Sequence, residues 1–176
     1  MYPQILYHPF EECMTFVVDC MLGKLAKWLK ILGFDAIFFS KIEDDALLAI
    51  ARNENRVLLT RDTGLIERIK TTKSLFIESE NWRDQVEQVL DEFDLWRDVQ
   101  PNSRCIECNV RIKDLPREKA RNLVTPFVFE NADTFALCPD CGRVFWRGTH
   151  LKDMETKING FLKKRKIPFE ELNGDT

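Results

Sequence analysis

An α/β fold, a parallel sheet flanked by helices and followed by a small second module, is what the sequence predicts, on three observations. Short apolar strand-like runs alternate with amphipathic helical stretches through residues 14–93, the order that builds a parallel sheet with helices on both faces. That pattern stops at residues 99–104, a stretch rich in turn formers. Two cysteine pairs follow, Cys105-Ile-Glu-Cys108 and Cys138-Pro-Asp-Cys141, separated by 29 residues. The expected organisation is a leader over 1–13, an α/β domain over 14–99, a cysteine module over 100–150, and a helix and tail over 151–176.

Each element has its own warrant. Residues 15–19, TFVVD, read as a short buried strand ending in an acid. Residues 22–32 read as a helix, because Leu22, Leu25, Ala26, Leu29 and Leu32 recur at helical spacing and Gly33 follows as a stop. A second strand is expected over 35–39. A helix over 43–53 carries Leu47, Ile50 and Ala51 on one face. Residues 56–60, RVLLT, make a third strand, 63–70 a short helix, 75–78 a fourth strand and 82–93 a fourth helix. In the cysteine module, short strands are expected over 126–129, 134–137 and 143–146, then a closing helix over 151–164.

Each cysteine pair can place two thiolates on one tight turn, and two such turns supply the four soft ligands of a closed tetrahedral zinc site. This zinc-ribbon reading competes with paired redox motifs or a disulfide framework. A zinc with four protein ligands has no open position for substrate, so chemistry must be sought elsewhere.

Composition narrows the function classes. Hydrophobic residues make up 44% and charged residues 31%, the balance of an ordinary globular chain. No apolar stretch approaches the roughly 20 residues of a membrane span. Residues 1–13 lack a basic start and carry two glutamates, which is not a secretory signal; they are expected to be a poorly ordered leader, with Met14 as an alternative start. Absent an export signal, paired CxxC motifs point to a reducing cytoplasm. Cys13 and Cys20 stand outside the zinc pattern and are expected to be free thiols, Cys20 packing as a small hydrophobe. A net charge of -3 argues against nucleic-acid binding by overall charge, although a local basic surface is compatible with it.

Acids stand where strands meet helices. Asp19 ends the first strand, Asp44 and Asp45 open the second helix, and Asp62 follows the third strand. In a parallel sheet these positions share the carboxyl edge, where functional groups gather. Clustered carboxylates suit a hard cation, Mg²⁺ or Mn²⁺, which can activate water and stabilise a transferring phosphoryl group. The ordinary alternative for Asp44, Asp45 and Asp62 is capping; Asp19, closing an apolar strand, is harder to explain without a partner. Lys24, Lys27 and Lys30 lie three apart on the first helix, with Trp28 nearby. They read either as a solvated face or as a guide for a phosphate backbone, and Arg61 beside Asp62 admits the same two readings.

These residues resemble a known family. The run from Asp19 through Lys30 to Gly33-Phe34-Asp35, the acid Asp44, the Leu59-Thr60-Arg61-Asp62 strand end, Arg104-Cys105 to Cys108-Asn109, Cys138-Pro139 to Cys141-Gly142, and the stretch from Trp146 to His150 together resemble the PIN-like C-terminal RNase domain family of the Mut-seven type. The resemblance spans about residues 14–155 and keeps the motif order. It implies a PIN-like α/β fold with a zinc ribbon and a metal-dependent ribonuclease activity. By position, Asp19, Asp44 and Asp62 would be the catalytic acids holding Mg²⁺ or Mn²⁺, and Asp45 a substitute for Asp44. Many PIN nucleases have a fourth acid shortly after the third; here those positions are Thr63, Gly64 and Leu65, and Glu78 is the nearest substitute.

The leading expectation is a ribonuclease in which Lys24, Lys27 and Arg61 position the RNA backbone and Cys105, Cys108, Cys138 and Cys141 hold a structural zinc. The alternative is an RNA- or protein-binding module with a weak or inactive acidic site, its protein partner met through the ribbon; a redox protein is a third. His150 is read as structural or as an RNA or partner contact, and Lys163-Lys164-Arg165-Lys166 as a solvated helix end or an RNA contact.

Overall fold

Apolar runs of four residues can only be strands if both of their faces are covered, and the first sheet shows how. In the computed structural model, which describes residues 14–69, 72–146 and 156–160, β1 (Thr15–Val18), β2 (Asp35–Phe38), β3 (Val57–Thr60) and β4 (Ser74–Phe76) form one sheet in the order β2-β1-β3-β4. All three pairings are parallel. The helices α1 (Gly23–Ile31), α2 (Asp44–Asn53), α3 (Thr63–Glu67) and α4 (Trp82–Glu92) alternate with them. Side chains of β1 serve two cores. Phe16 and Val18 pack with Leu25, Leu29, Val86 and Leu90 of α1 and α4. Val17 packs with Leu47 and Ala51 of α2, Leu58 of β3 and Leu65 of α3. Burial on both faces is why TFVV and VLLT are continuous apolar runs rather than alternating ones. The helix placement also satisfies the right-handed crossover rule: the chain moves one way from β1 to β2 and the other way from β2 to β3 to β4, so α1 and the α2–α3 pair take opposite faces.

The stop after α1 is built as the sequence implies. Gly33 has φ +97°; its N–H donates to Lys30 O at 3.0 Å and the Phe34 N–H donates to Leu29 O at 2.9 Å, a Schellman ending. The chain later returns to this point, where Gln100 N donates to Leu32 O and Asn102 N to Ile31 O. A Cβ on Gly33 would lie 2.5 Å from Gln100 O. We therefore expect Gly33→Ala to lower stability by about 2–4 kcal/mol, the sum of a left-handed-backbone penalty and a clash with rigid main chain. A denaturation midpoint on the metal-loaded protein checks this; an unchanged midpoint would show that the return segment is not held there.

The second module is a three-stranded antiparallel sheet, β5 (Lys113–Asp114), β6 (Phe135–Leu137) and β7 (Val144–Trp146), in the order β5-β6-β7. Two short helices, α5 (Arg117–Ala120) and α6 (Pro126–Asn131), lie between β5 and β6. Ala120, Ala132 and Phe135 form its small core. The strand expected over 126–129 is corrected here: those residues open α6. Phe and Val favour strands, but Thr125 caps the helix through the Val128 N–H and Pro126 occupies its first turn, and these start signals prevail over the propensity of Phe-Val-Phe. β5 and α5 were not anticipated, being too short for a periodic pattern.

Of the closing helix expected over 151–164, residues 156–160 are helical, and Ile158 is fully buried in the first core; the remainder lies outside the described residues. So do the leader 1–13 with Cys13, His150 and the basic run at 163–166. Among the described residues, no helix is long and apolar enough to cross a membrane.

Candidate active site and metal centre

Strand order β2-β1-β3-β4 reverses its sense of progression between β1 and β3. Loops leave these two neighbours in opposite directions, the arrangement that in open α/β sheets makes a crevice at the carboxyl ends. The register pairs Val18 with Leu59, so the next residues, Asp19 and Thr60, stand side by side. The Asp19 N–H donates to Leu59 O at 3.0 Å, and Asp19 O accepts from the Leu22 N–H at 2.9 Å, closing a 3-10 turn over Cys20–Leu22. The Asp19 residue is only 7% exposed. A carboxylate so placed needs a partner, and Thr60 provides one: its Oγ1 donates to Asp19 Oδ2 at 2.6 Å. The same oxygen accepts from the Asp62 N–H at 3.0 Å. One fully buried hydroxyl thus ties two of the expected acids together. Asp62 also fulfils its ordinary role, since its Oδ1 accepts from the Leu65 N–H and caps α3.

Asp44 stands differently. It and Asp45 lie in the first turn of α2, whose N-cap is Glu43. Arg68 Nη1 is 3.0 Å from Asp44 Oδ2, and Arg68 Nη2 pairs with Asp45 Oδ1. Among the described residues, the four cysteines are the group whose ligand atoms gather within 4.8 Å; Asp19, Asp44 and Asp62 do not form such a group. Glu78 follows β4 in an exposed position, its N–H bonded to Gln88 Oε1. Arg61 reaches Glu80 Oε1 at 3.3 Å through Nη2, while its Nε is buried without a hydrogen-bond partner. Lys24 and Lys27 are exposed on α1. Cys20 is exposed rather than packed, a correction, because the 3-10 turn faces it outward at the crevice. The neighbouring Asp19 carboxylate, by hydrogen bond and charge, and burial raise its thiol pKa.

The four cysteines of the two CxxC pairs converge. Cys105 and Cys138 are buried, Cys108 is half-buried and Cys141 is exposed. Cys105 Sγ lies 3.9 Å from Cys141 Sγ. A tetrahedron with Zn–S bonds of about 2.3 Å has S–S edges of about 3.8 Å, so the set fits zinc. Both turns have the same backbone: Asn109 N donates to Cys105 O, and Gly142 N to Cys138 O. The residue after each pair is left-handed, φ +61° at Asn109 and +69° at Gly142, which explains Asn and Gly there. Crowded thiols perturb one another. Hydrogen bonding to the Cys141 sulfur, with burial, pushes Cys108 up to about 12. Burial opposes ionisation of Cys138, but hydrogen bonds from the Cys141 and Asp140 N–H groups and from the Cys141 and Cys105 thiols together outweigh it and bring Cys138 down to about 7.

The cysteine module is joined to the first sheet by residues whose role the sequence did not disclose. Asn109 Oδ1 accepts the Ala36 N–H of edge strand β2 at 3.1 Å, and its Nδ2 donates to Asp35 Oδ1 at 2.8 Å. Arg104 Nε donates to Gly33 O at 3.2 Å, and its Nη1 bonds Asn109 O and lies 3.7 Å from Asp35 Oδ2. Lys30 Nζ donates to Ile106 O at 2.6 Å; burial lowers its pKa. Lys30 is thus an anchor for the cysteine turn rather than part of a solvated stripe. Asn109→Gly keeps the left-handed backbone but removes the amide, so we expect a loss of about 1–3 kcal/mol from the orphaned Ala36 N–H. Amide exchange at Ala36 tests it; exchange as slow as in the wild type would deny Asn109 this role.

Thr60 was also missed, although a polar residue closing an otherwise apolar strand was a readable signal. In comparisons with known proteins, a family model described as the Mut7-C RNAse domain matches residues 14–158. No curated protein and no solved structure matches the chain.

Proposed function

Since the chain belongs to the Mut7-C RNAse domain family, we propose that it is a ribonuclease that hydrolyses RNA phosphodiester bonds at the β1–β3 crevice with the aid of a divalent cation. The observation that carries the proposal is Asp19, a buried carboxylate held at the switch point and tied through Thr60 to Asp62. The all-oxygen donor set of Asp19, Asp44 and Asp62 fits Mg²⁺ or Mn²⁺. Such a cation, when bound, lowers the pKa of a water and offsets charge on the transferring phosphoryl group. Thr60 fixes the orientation of the Asp19 carboxylate. Arg61 contributes an unsatisfied buried N–H, a costly state that an anionic oxygen would relieve. Lys24 and Lys27 position the backbone. Asp44 would hold the cation only when released from its pairing with Arg68.

Cys105, Cys108, Cys138 and Cys141 would hold a structural Zn²⁺ that is closed to substrate, in keeping with a cytoplasmic setting. A second reading, a binding module with a weak or inactive site, is favoured by one observation: the pairing of Asp44 with Arg68. A protein partner through the ribbon is supported by exposed Leu123, Phe127 and Trp146 near a cleft of about 380 Å³.

Incubation of the zinc-loaded protein with single-stranded and structured RNA, with and without Mn²⁺, separates the two readings. Cation-dependent cleavage supports the ribonuclease. RNA binding that persists without cleavage supports the binding module.

A further inference from the structure

The α2–α3 rim of the crevice carries an excess of acids, and the α1–α4 rim carries exposed cations beside its own acids Glu78, Glu80 and Asp84. On the α2–α3 side stand Glu43, Asp44, Asp45 and Asp62. On the other side, α1 and α4 pack against each other over the same sheet face, and both begin at the sheet's carboxyl edge. Gly23, the first residue of α1, follows Asp19 by one 3-10 turn. Trp82, the first residue of α4, follows by two residues Glu80, the partner of Arg61.

The start of α4 is held against the second half of α1 by stacked indoles: the Trp28 and Trp82 rings lie 4.4 Å apart and within 11° of parallel. Cations surround Trp82. The Arg83 guanidinium carbon is 4.4 Å from its ring centroid and Lys24 Nζ is 5.6 Å. Lys24, Lys27 and Arg83 are all exposed. Arg56, Arg61, Arg68, Arg104 and Arg143 each face a carboxylate, but among the described residues no carboxylate lies within ion-pair distance of these three. The acids nearest Arg83 in sequence are engaged elsewhere, Glu80 by Arg61 and Asp84 by the Ser79 hydroxyl.

We infer that Lys24, Trp82 and Arg83 form a phosphate-binding ledge that receives the RNA strand on the α1–α4 side of the crevice; the inference rests on the ribonuclease reading and gives the substrate a direction of approach. A polyanion nearing the crevice is repelled by the α2–α3 rim and attracted by this ledge. The Trp28–Trp82 stack makes the ledge rigid, and the ring face holds Arg83 and Lys24 in place without cancelling their charge, as a carboxylate would. The backbone therefore lies along α1 and α4, with the scissile phosphate reaching Asp19 from that side. Arg83 belongs to the ledge although nothing in the periodicity of α4 separates it from an ordinary solvated residue.

The test measures binding apart from catalysis. Full-length, zinc-loaded Asp19→Asn protein is titrated with a fluorescein-labelled, unstructured single-stranded oligoribonucleotide at several salt concentrations. In that background, Lys24→Gln with Arg83→Gln is expected to reduce the slope of log K against log salt by about 1.4, which is about 0.7 for each phosphate that is no longer neutralised. Arg52→Gln, a charge removed from α2, is expected to leave the slope unchanged. Near-ultraviolet circular dichroism of the stacked indoles establishes that the double variant is folded. If the parent binds and the double variant keeps its slope, the ledge is refuted and the ribonuclease reading stands. If the double variant and Arg52→Gln reduce the slope equally, the effect is one of net charge and the ledge is again refuted. If the parent does not bind RNA and the wild type does not cut it, the ribonuclease reading fails and takes the ledge with it.

Discussion

Asp19→Asn is expected to lower RNA cleavage by about 10²–10³-fold in kcat/KM, the scale of losing one preorganised charge-stabilising group, while leaving the fold intact. The amide is nearly isosteric with the carboxylate and its oxygen can still accept from Thr60 Oγ1, the 2.6 Å bond that satisfies the buried group. What it loses is the negative charge, the property a divalent cation requires. Asp62→Asn should follow the same course, because asparagine retains the helix-capping bond to the Leu65 N–H but not the charge. The measurement is cleavage of single-stranded RNA with Mn²⁺, paired with thermal denaturation to verify that both variants remain folded. If both cut as fast as the wild type, catalysis does not reside in this crevice.

Removal of zinc is expected to have the largest structural effect. Among the described residues, the second module's core comprises Ala120, Ala132 and Phe135 with a few partly buried neighbours, and its strands are two or three residues long. So little apolar burial leaves a domain of this size dependent on a metal or a similar clamp. Apparent binding energies of structural zinc are about 10–16 kcal/mol near neutral pH, enough to decide whether the module folds. A strong chelator, or Cys105→Ser with Cys138→Ser, should therefore deprotect amides throughout residues 104–146. The effect should extend to Ala36, whose N–H is bound by Asn109. Strands β1 and β3, buried between helices on both faces, should retain slow exchange. Unchanged exchange over 104–146 in metal-free protein would refute the structural role of zinc.

How much of this was legible in the sequence depended on the range of the interactions concerned. The first α/β stretch was readable within a residue or two at most element ends, because each strand and helix buries a large apolar face and periodicity records that burial. The Gly33 stop was readable for the same reason, since left-handed backbone selects a residue type locally. The strand expected at 126–129 failed where a capping threonine and a first-turn proline competed with aromatic propensity over a few residues. Of the acids, Asp19 and Asp62 were locatable as strand-end residues. That a single threonine hydroxyl joins them, and that Asp44 pairs with Arg68, depends on contacts between distant segments of the chain, which no local pattern encodes.

The sequence by itself determined the order of strands and helices, the carboxyl-edge position of the acids and the four-cysteine set. Each follows from spacing, from burial periodicity or from the chemistry of a residue type. Only the tertiary structure decided that β1 and β3 are neighbours and so make the crevice. Only there does Lys30 become an anchor for Ile106, while Arg104 and Asn109 bind the cysteine turn to the open edge of the sheet. The physical reason is that backbone donors and acceptors on an edge strand must find partners, and which distant residue supplies them is settled by how the chain folds back, not by what precedes or follows it.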